Sequence, residues 1–434
     1  MSPPAIVFDS SECNKLAETR DFGLAQNSFL PQEKPCEQLS DKYYEPWETI
    51  AAQLPTLIEN GEMRDAINRL SVLSTDGLST VPEWRRAYVM LAYMTHAYIW
   101  AGDNPEEVLP PQITIPFLAV SAHVELPPVL TYTAASLWNF SCSGGDFSEP
   151  ENLSTLFTFT DTESESWFLL ISVAMEAKAT GIIQTVVGAL EAARTQNYGV
   201  MSDALQDIAS FIKSARTLLE RMYEKCDPMT FYHRIRPFLA GSKNMGVAGL
   251  PRGVFYDEGD GKGQWRQLQG GSNGQSCLIQ LLDVVLSIQH NSNCVTDQKS
   301  FHHEAREYMP GPHRRFLLHV AEACNVRELA MLPEGEVASA EHQRLRSAYL
   351  ATADQLCEFR SIHIQIVTRY IILPSKKPLK CDSRRNLASP ASYGMENVAN
   401  DAIIGTGGTR LISFLRETRE ETFNAKKLDE HGSQ

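Results

Sequence analysis

His363 lies on an apolar face of a predicted helix. Leu356, Phe359, Val367 and Tyr370 recur around it at helical spacing, which places the imidazole in the middle of that face. A buried imidazole needs a partner. The partner is either an ordinary hydrogen bond in a packed core or a metal, and a single histidine on an apolar helix suits a haem iron. Periodicity alone favours the packed core.

A second helical segment, SWFLLISVAMEA, carries one small hydroxyl among large apolar side chains. Phe168, Ser172 and Met175 share a face of this helix because they follow one another at spacings of four and three residues. This face either packs in the core with one tolerated serine or lines a ligand cavity. In a cavity, Ser172 would offer one hydrogen bond.

Two arginines follow aromatic residues in the segment FYHRIRPFLAGSKN. Pro237 predicts that Arg236 departs from helical geometry, because proline disfavours the α conformation of the preceding residue. An arginine at a helix break can bind a carboxylate through two parallel hydrogen bonds, and Phe231 would supply an apolar wall. The alternative is that Arg234 and Arg236 are surface residues at a helix end.

Two glycine-rich segments permit a close approach of the backbone to a ligand. Gly270, Gly271 and Gly274 lie in GQWRQLQGGSNGQS, which lacks the ending of a phosphate-binding loop and the preceding strand of a dinucleotide site. GTGGT (405–409) precedes a predicted helix, where backbone N–H groups can bind an anion. Each segment alone is more often a loop closure than a binding site.

Other familiar catalytic patterns are missing from the sequence. His313 follows a loop and begins a basic segment, but nothing nearby supports it as a catalytic base. The pair His302–His303 lacks the spacing of an H-E-x-x-H metal site, and no G-x-S-x-G nucleophile motif occurs.

The composition is that of a soluble protein in a reducing compartment. The 434 residues include 39 Lys and Arg against 53 Asp and Glu, so the net charge is −14, which argues against nucleic acid or an anionic membrane as a partner. Nine cysteines are scattered without a C-x-x-C pair. The first thirty residues contain acidic side chains and no apolar signal core, so we expect a cytoplasmic protein.

The elements that must position these residues are mostly helices. We predict a mainly α fold with an N-terminal arm (1–40), a small mixed α/β domain (41–160) and a large helical domain (161–434). Prolines 110, 111, 116, 127 and 128 are expected to break the chain before a short helix around 129–140, and 153–160 is expected to form a strand. The predicted helices are 46–60, 83–102, 165–195, 201–225, 276–290, 313–331, 339–371 and 409–424.

Two long segments between helices are predicted to be loops. Residues 240–275 are rich in Gly, Asn and Ser. Residues 374–404 are mostly polar and unpatterned, and a loop of that length is typically mobile or acts as a lid over a site.

Seven blocks of the sequence, taken in order, resemble the indoleamine 2,3-dioxygenase family, and in particular its fungal members. The similarity extends from about residue 40 to 425, and seven ordered blocks are far more specific than any single motif. The blocks are ELPPVLTYTAASLWNF, SWFLLISVAMEA, FYHRIRPFLAGSKN, GGSNGQS, YMPGPHRRFL, RSIHIQIVTRYIILP and GTGGTRL.

The resemblance implies one haem b per chain, held between the small domain and the large helical domain. His363 would be the proximal ligand of the iron. Arg360, three residues earlier, matches an arginine near a haem propionate, and Ser272 matches a residue with the same role.

The resemblance also implies a pocket for an indole substrate. Tyr132, Phe168, Ser172 and Phe231 match residues around the indole ring, and Arg236 matches the arginine that binds the substrate carboxylate. Gly270 and Gly271 match positions whose backbone lies beside substrate and haem. Thr406 matches a position that reaches the amino-acid head group of the substrate.

The implied reaction inserts both atoms of O2 into the C2–C3 bond of L-tryptophan, or of another indoleamine, to give N-formylkynurenine. This is the first step of the kynurenine pathway, which leads to NAD. An unidentified reductant would keep the iron ferrous. Ser172 stands where the tetrameric tryptophan dioxygenases carry a distal histidine, so the resemblance implies a monomer without an obligatory base.

Two departures from the family pattern leave alternatives open. Ala135 and Ser136 stand where vertebrate members carry Cys and Val, and 374–404 is longer than usual. A haem-binding paralogue that acts as a sensor or a low-affinity enzyme is therefore a second hypothesis. A helical interaction protein without a cofactor is a third, and it predicts a colourless protein.

Overall fold

A computed structural model describes residues 22–24, 26–290, 301–333, 339–377, 405–406 and 411–427, and it confirms a mainly helical fold. The helices before residue 160 are α1 (Glu45–Ala52), α2 (Leu54–Asn60), α3 (Met63–Asn68), α4 (Val81–Trp100) and α5 (Pro111–His123). Those after it are α6 (Glu163–Lys178), α7 (Ile182–Arg194), α8 (Tyr198–Glu220), α9 (Met222–Lys225), α10 (Pro228–Thr230), α11 (Arg236–Leu239), α12 (Cys277–Val285), α13 (Phe301–Arg306), α14 (Gly311–Ala323), α15 (Val326–Ala330), α16 (Ala340–Val367) and α17 (Leu411–Asn424).

Short turns of other helix types connect these elements. Wide π-type turns are formed by Thr133–Leu137, Phe231–Ile235 and Thr368–Ile372, and tighter 3-10 turns by Lys42–Tyr44, Pro150–Asn152, Asn273–Gln275 and Pro374–Lys376. Single π turns in helical proteins often occur at functional sites, because they shift the side-chain register by one residue.

Five short strands form two small sheets in the described chain. β1 (Val108–Leu109) pairs in parallel with β4 (Val254–Gly259), which pairs with β5 (Lys262–Arg266) in an antiparallel hairpin. β2 (Phe140–Cys142) pairs with β3 (Leu153–Thr155) in a separate antiparallel ribbon. The parallel pair joins a segment before residue 160 to one well after it. The predicted domain division at about residue 160 stays a prediction.

The prolines after residue 109 do not break the chain as expected. Pro111–His123 forms α5, with Pro110 as its N-cap, Pro111 at its start and Pro116 inside it. A proline in the first turn removes an N–H group that has no helical partner there. Pro116 removes one helical hydrogen bond, and the burial of Phe117 in the core offsets that loss.

The region predicted as a loop between 240 and 275 contains the β4–β5 hairpin. Asp260 and Gly261 connect its strands with φ values of 52° and 74°, as a two-residue type I′ turn requires. The Asp-Gly pair is the sequence signal for this turn, and the glycine-rich surroundings obscured it. The strand predicted at 153–160 is shorter than expected, because only Leu153–Thr155 is paired.

The helix that passes through the interior is α4. Its N-terminus has a capping box, in which the Thr80 side chain accepts from the Glu83 backbone N–H and the Glu83 carboxylate accepts from the Thr80 backbone N–H. Most of its residues are buried. His96 and Trp100 contact α11 and the residue that follows it: His96 Nδ1 lies 2.7 Å from the Phe238 carbonyl, and Trp100 donates to the Ala240 carbonyl. Helix α4 is therefore packed directly on the segment that carries Arg236.

The helix predicted at 165–195 is two helices, α6 and α7. They are separated at Gly181, whose φ is 83°. Within the described residues, no single helix is long and apolar enough to cross a membrane; α6 and α7 meet that length and composition only together, across a 41° bend. Of the predicted 374–404 loop, only 374–377 belongs to the described residues.

Candidate active site

An elongated cavity of about 240 Å³ lies between α6, the turn 231–235, α12, α16 and α17. Its walls are mostly apolar, and few polar groups reach it. The structure brings together nearly all residues singled out in the sequence: Tyr132, Phe168, Ser172, Phe231, Arg236, Gly271, Ser272, Arg360, His363 and Thr406 line this cavity. Gly270 does not line it.

His363 lies near the end of α16, the 28-residue helix that begins at the Ser339 cap. Among the described residues, none forms a hydrogen bond with its ring. Burial and, to a lesser extent, the nearby Arg360 lower the pKa of His363 to about 4. The ring is therefore neutral at physiological pH, with an available lone pair, which is the form that binds a metal.

Arg360 lies one helical turn before His363 and is held in a buried polar cluster. Its guanidinium forms an ion pair with Asp283 of α12, and it donates to the Thr418 carbonyl and the Thr422 hydroxyl of α17. Burial alone would raise the pKa of Asp283, but Arg360 and His290 outweigh it and hold the pKa at about 2. The predicted contact of Arg360 with a haem propionate stays a prediction.

Aromatic rings form part of the cavity wall. Phe168 of α6 packs on Phe231 with ring centroids 4.8 Å apart, and Phe231 meets Tyr370 edge-on at 5.9 Å. Phe231 begins the π turn 231–235, and Tyr370 lies in the π turn 368–372. Ser172 follows Phe168 by one helical turn and is buried at the cavity surface. The predicted face of Phe168, Ser172 and Met175 thus lines the cavity.

Arg236 lines the cavity, but its backbone conformation differs from the one expected. Its φ and ψ are −52° and −39°, so the residue is helical and Pro237 does not push it into an extended conformation. It begins α11 directly after the π turn, and Pro237 occupies a first-turn position, where proline is tolerated. The side chain is buried, whereas Arg234 is exposed. Burial lowers the pKa of Arg236.

The glycine-rich segment and Thr406 meet at the edge of the cavity. The Thr406 hydroxyl donates to the Gly271 carbonyl at 2.8 Å, and the Gly270 backbone N–H donates to the Thr406 carbonyl at 3.2 Å. A Cβ atom at Gly270 would lie 2.0 Å from the Leu239 carbonyl oxygen. Gly270 is therefore required by the packing of two backbone segments. Ser272 caps the 3-10 turn 273–275.

Glu176 is a cavity residue that the sequence reasoning missed. It lies one turn after Ser172 on the same face of α6, and its Oε1 accepts hydrogen bonds from the hydroxyls of Tyr132 (3.0 Å) and Ser276 (2.9 Å). Burial raises its pKa to about 7. A carboxylate inside the most apolar segment of the chain was the available signal, because its spacing from Phe168 and Ser172 continues their face.

Comparison with known proteins shows to which family the chain with this cavity belongs. The sequence model of the family described as indoleamine 2,3-dioxygenase matches residues 18–425. The chain is 39% identical to an indoleamine 2,3-dioxygenase of Saccharomyces cerevisiae, over 91% of this chain and 90% of that one. The chain belongs to the indoleamine 2,3-dioxygenase family.

Further relatives show how broad this family is. A 6-hydroxytryptophan 2,3-dioxygenase of Fusarium equiseti is 37% identical over 92% of this chain and 95% of its own. Indoleamine 2,3-dioxygenase 1 of Mus musculus is 35% identical over 90% and 91%. The resemblance to fungal members is thereby confirmed, and the chain is a dioxygenase.

One of the two departures from the family pattern, at Ala135 and Ser136, lies at the cavity, whereas most of the other, 374–404, lies outside the described residues. Ala135 and Ser136, in the π turn 133–137, both line the cavity and are both buried. They follow Tyr132, so the part of the dioxygenase cavity next to that tyrosine carries a methyl group and a hydroxyl.

A histidine cluster lies next to Arg360, and it was not predicted from the sequence. His290 contacts Asp283 and Glu421, and its ring stacks on His302. Burial lowers the pKa of His290, but Asp283 and Glu421 outweigh it and raise the pKa to about 9. Burial lowers the pKa of His302 to about 3. No local spacing announces this cluster, because its members come from three separate segments.

Proposed function

We propose that this chain is a haem-dependent dioxygenase that converts L-tryptophan to N-formylkynurenine. One observation carries the proposal: His363, a neutral histidine, and Arg236, a buried cation, line the same apolar cavity. The first suits an iron, and the second suits a carboxylate. Tryptophan combines a wide apolar ring with a carboxylate, so a site for it needs both features.

The residues of the cavity fit a haem. His363 offers a neutral imidazole that makes no hydrogen bond to any described residue, and it lines the cavity together with apolar side chains such as Phe359, Ile366 and Leu415. His363 would hold the iron, while Arg360 and Ser272 would hold the propionates. When bound, the haem supplies the activation of O2, so that both oxygen atoms enter the C2–C3 bond of the indole.

The chain itself binds and orients the substrate. Phe168 and Phe231 provide aromatic walls for the indole, and Arg236 binds the carboxylate by two parallel charged hydrogen bonds. Because Arg236 is buried, its attraction for an anion is screened less than it would be at the surface. These contacts fix the position of the indole C2 and C3 atoms before the reaction.

The amino-acid head group of the substrate would lie at the edge of the cavity, where Thr406 contacts Gly270 and Gly271. The Thr406 hydroxyl contacts the Gly271 carbonyl, so a small rotation lets it serve the substrate instead. Ser172, one helical turn after Phe168, presents a hydroxyl to the cavity and would lie beside the indole. Because both oxygen atoms enter the product, the site needs no group that delivers protons to O2, and an alcohol suffices there.

The cellular role follows from this reaction. We place the enzyme in the cytoplasm, as a monomer with one haem b, at the first step of tryptophan breakdown through the kynurenine pathway, which leads to NAD. A reductant of the cell keeps the iron ferrous, and O2 is the second substrate.

The test is a product assay with purified holoprotein under reducing conditions. L-tryptophan and labelled O2 should yield N-formylkynurenine that carries both labelled oxygen atoms. Parallel reactions with D-tryptophan and 6-hydroxytryptophan define the preference, since a relative is named for the hydroxylated substrate. A protein with a normal Soret band that produces no N-formylkynurenine would refute the proposal.

A second candidate is a haem-binding paralogue that acts as a sensor or a low-affinity enzyme. Ala135 and Ser136 favour it, because both line the cavity where vertebrate relatives carry larger or less polar side chains. A steady-state KM far above the cellular tryptophan concentration would support this candidate over the first.

A further inference from the structure

Three side chains of metal-binding type meet next to Arg360. Asp283 lies in α12, His290 follows that helix, and His302 lies in α13. One ligand atom from each lies within 4.8 Å of the others. Two imidazoles and a carboxylate form the donor set that zinc and related divalent ions prefer.

The ring of His302 has no hydrogen-bond partner in the part of the chain that the structure describes. Both ring nitrogens are buried, and neither has a hydrogen-bond partner among the described residues. The ring stacks on His290 with centroids 3.6 Å apart and planes inclined by 12°. Buried imidazoles are normally hydrogen-bonded or bound to a metal, because a buried polar group without a partner costs free energy.

The surroundings of His290 already resemble the outer shell of a metal site. Its Nδ1 lies 2.6 Å from the Glu421 carboxylate, and its Nε2 lies 3.2 Å from Asp283 Oδ2. Histidines that bind a metal commonly donate their other N–H to a carboxylate, which fixes the ring. Arg360 pairs with the remaining oxygen, Oδ1, of Asp283 and orients that carboxylate.

We propose that Asp283, His290 and His302 bind a divalent transition-metal ion, best matched by Zn²⁺, with Glu421 as the outer partner of His290. The ion takes the place of the proton between His290 Nε2 and Asp283 Oδ2, and that proton leaves to solvent. Parallel rings do not aim their lone pairs at one point, so His302 turns out of the stack when the ion binds. A water molecule completes four ligands.

The charges around the cluster suit a cation. Asp283 and Glu421 are two carboxylates; in the described part of the chain Asp283 pairs with the Arg360 guanidinium and Glu421 with His290. The ion would connect α12, α13 and α17. Because Phe301, His302 and Phe414 line the cavity, the ion would stabilise this wall without contacting His363.

The test measures zinc in the purified holoprotein without a polyhistidine tag. The protein is treated with a chelator, incubated with Zn²⁺, desalted and analysed for zinc and iron. We expect one zinc per haem iron. His302→Leu and His290→Gln should each weaken zinc binding at least about 10-fold, as loss of a ligand or its support does. His303→Leu changes the adjacent, exposed histidine and should retain the zinc.

Thermal unfolding gives a second readout that does not depend on activity. Zn²⁺ should raise the Tm of the wild-type holoprotein, Mg²⁺ should not, and His302→Leu should abolish the effect. Zinc well below one per iron would overturn the proposal, as would binding that survives both His302→Leu and His290→Gln. If His290→Gln does not fold, the zinc content and Tm of His302→Leu decide the result.

Discussion

Arg360 and Asp283 form a buried ion pair that joins the helix of His363 to α12. The same guanidinium donates to Thr418 and Thr422, so α17 is tied to both helices through one side chain. The candidate iron ligand therefore lies on a helix whose position is fixed by charge as well as by packing.

Breaking this ion pair should destabilise the protein strongly. Asp283→Asn leaves the Arg360 guanidinium buried without its counter-charge, and loss of one partner of a buried pair costs about 3–5 kcal/mol. The free energy of unfolding from denaturant titration measures this. Asp203→Asn breaks the exposed pair of Asp203 with Arg344 and should cost less than about 1 kcal/mol. Equal losses in the two variants would show that the buried pair has no special role.

His363→Ala should abolish haem retention, because the proposed site then has no axial ligand from the chain. The Soret absorbance of the purified protein measures this. His319→Ala replaces an exposed histidine of α14 and should keep a normal spectrum. A Soret band unchanged by His363→Ala would show that another residue binds the iron.

Arg236→Ala should mainly weaken the capture of tryptophan. Loss of a charged, buried hydrogen-bond donor to the carboxylate should lower kcat/KM by far more than a factor of about 3, which corresponds to less than ~1 kcal/mol. Arg234→Ala, two residues away and exposed, is the matched control and should leave kcat/KM unchanged. If Arg236→Ala stayed within that factor, the carboxylate-binding role would be wrong.

Glu176 should make stability depend on pH. Burial raises its folded-state pKa to about 7 from an ordinary 4.5, so the folded protein holds a proton that the unfolded chain releases. This contribution is complete below pH 4.5 and is lost as the pH rises through 7, on the order of 3 kcal/mol in total. Glu176→Gln should remove that part of the decline in denaturant titrations from pH 5 to pH 8. If the stability of Glu176→Gln fell with pH as much as that of the wild type, other titrating groups would be responsible for the decline.

Gly270→Ala should destabilise the protein, and Gly271→Ala should be tolerated. A Cβ atom at Gly270 would lie 2.0 Å from the Leu239 carbonyl oxygen and 2.4 Å from the Gly241 nitrogen, and backbone atoms cannot move aside cheaply. At Gly271 the nearest atom is 3.4 Å away. The two Tm values, measured on holoprotein, test this difference. Similar values would mean that the two segments separate easily.

The helical part of the fold was predictable because its apolar periodicity is strong. The segment predicted at 83–102 is α4, and 339–371 contains α16 with the π turn after it. The wrong predictions concern features that depend on position within an element or on distant segments. The proline-rich segment forms α5 because its first prolines lie where helices tolerate them. The turn of the hairpin 254–266 has a local signal in Asp260 and Gly261, but the pairing of β4 with β1, more than a hundred residues earlier, is revealed by no local window.

Sequence alone determined the family, the helical class and many of the residues that line the cavity, because ordered blocks and helical spacing are local properties of the chain. Tertiary structure decided the rest. The helical backbone of Arg236, the partners of Glu176, and the meeting of Asp283, His290 and His302 with Arg360 depend on segments that are distant in sequence. Polar partners inside a core are chosen by three-dimensional proximity and burial, and neither has a fixed spacing along the chain.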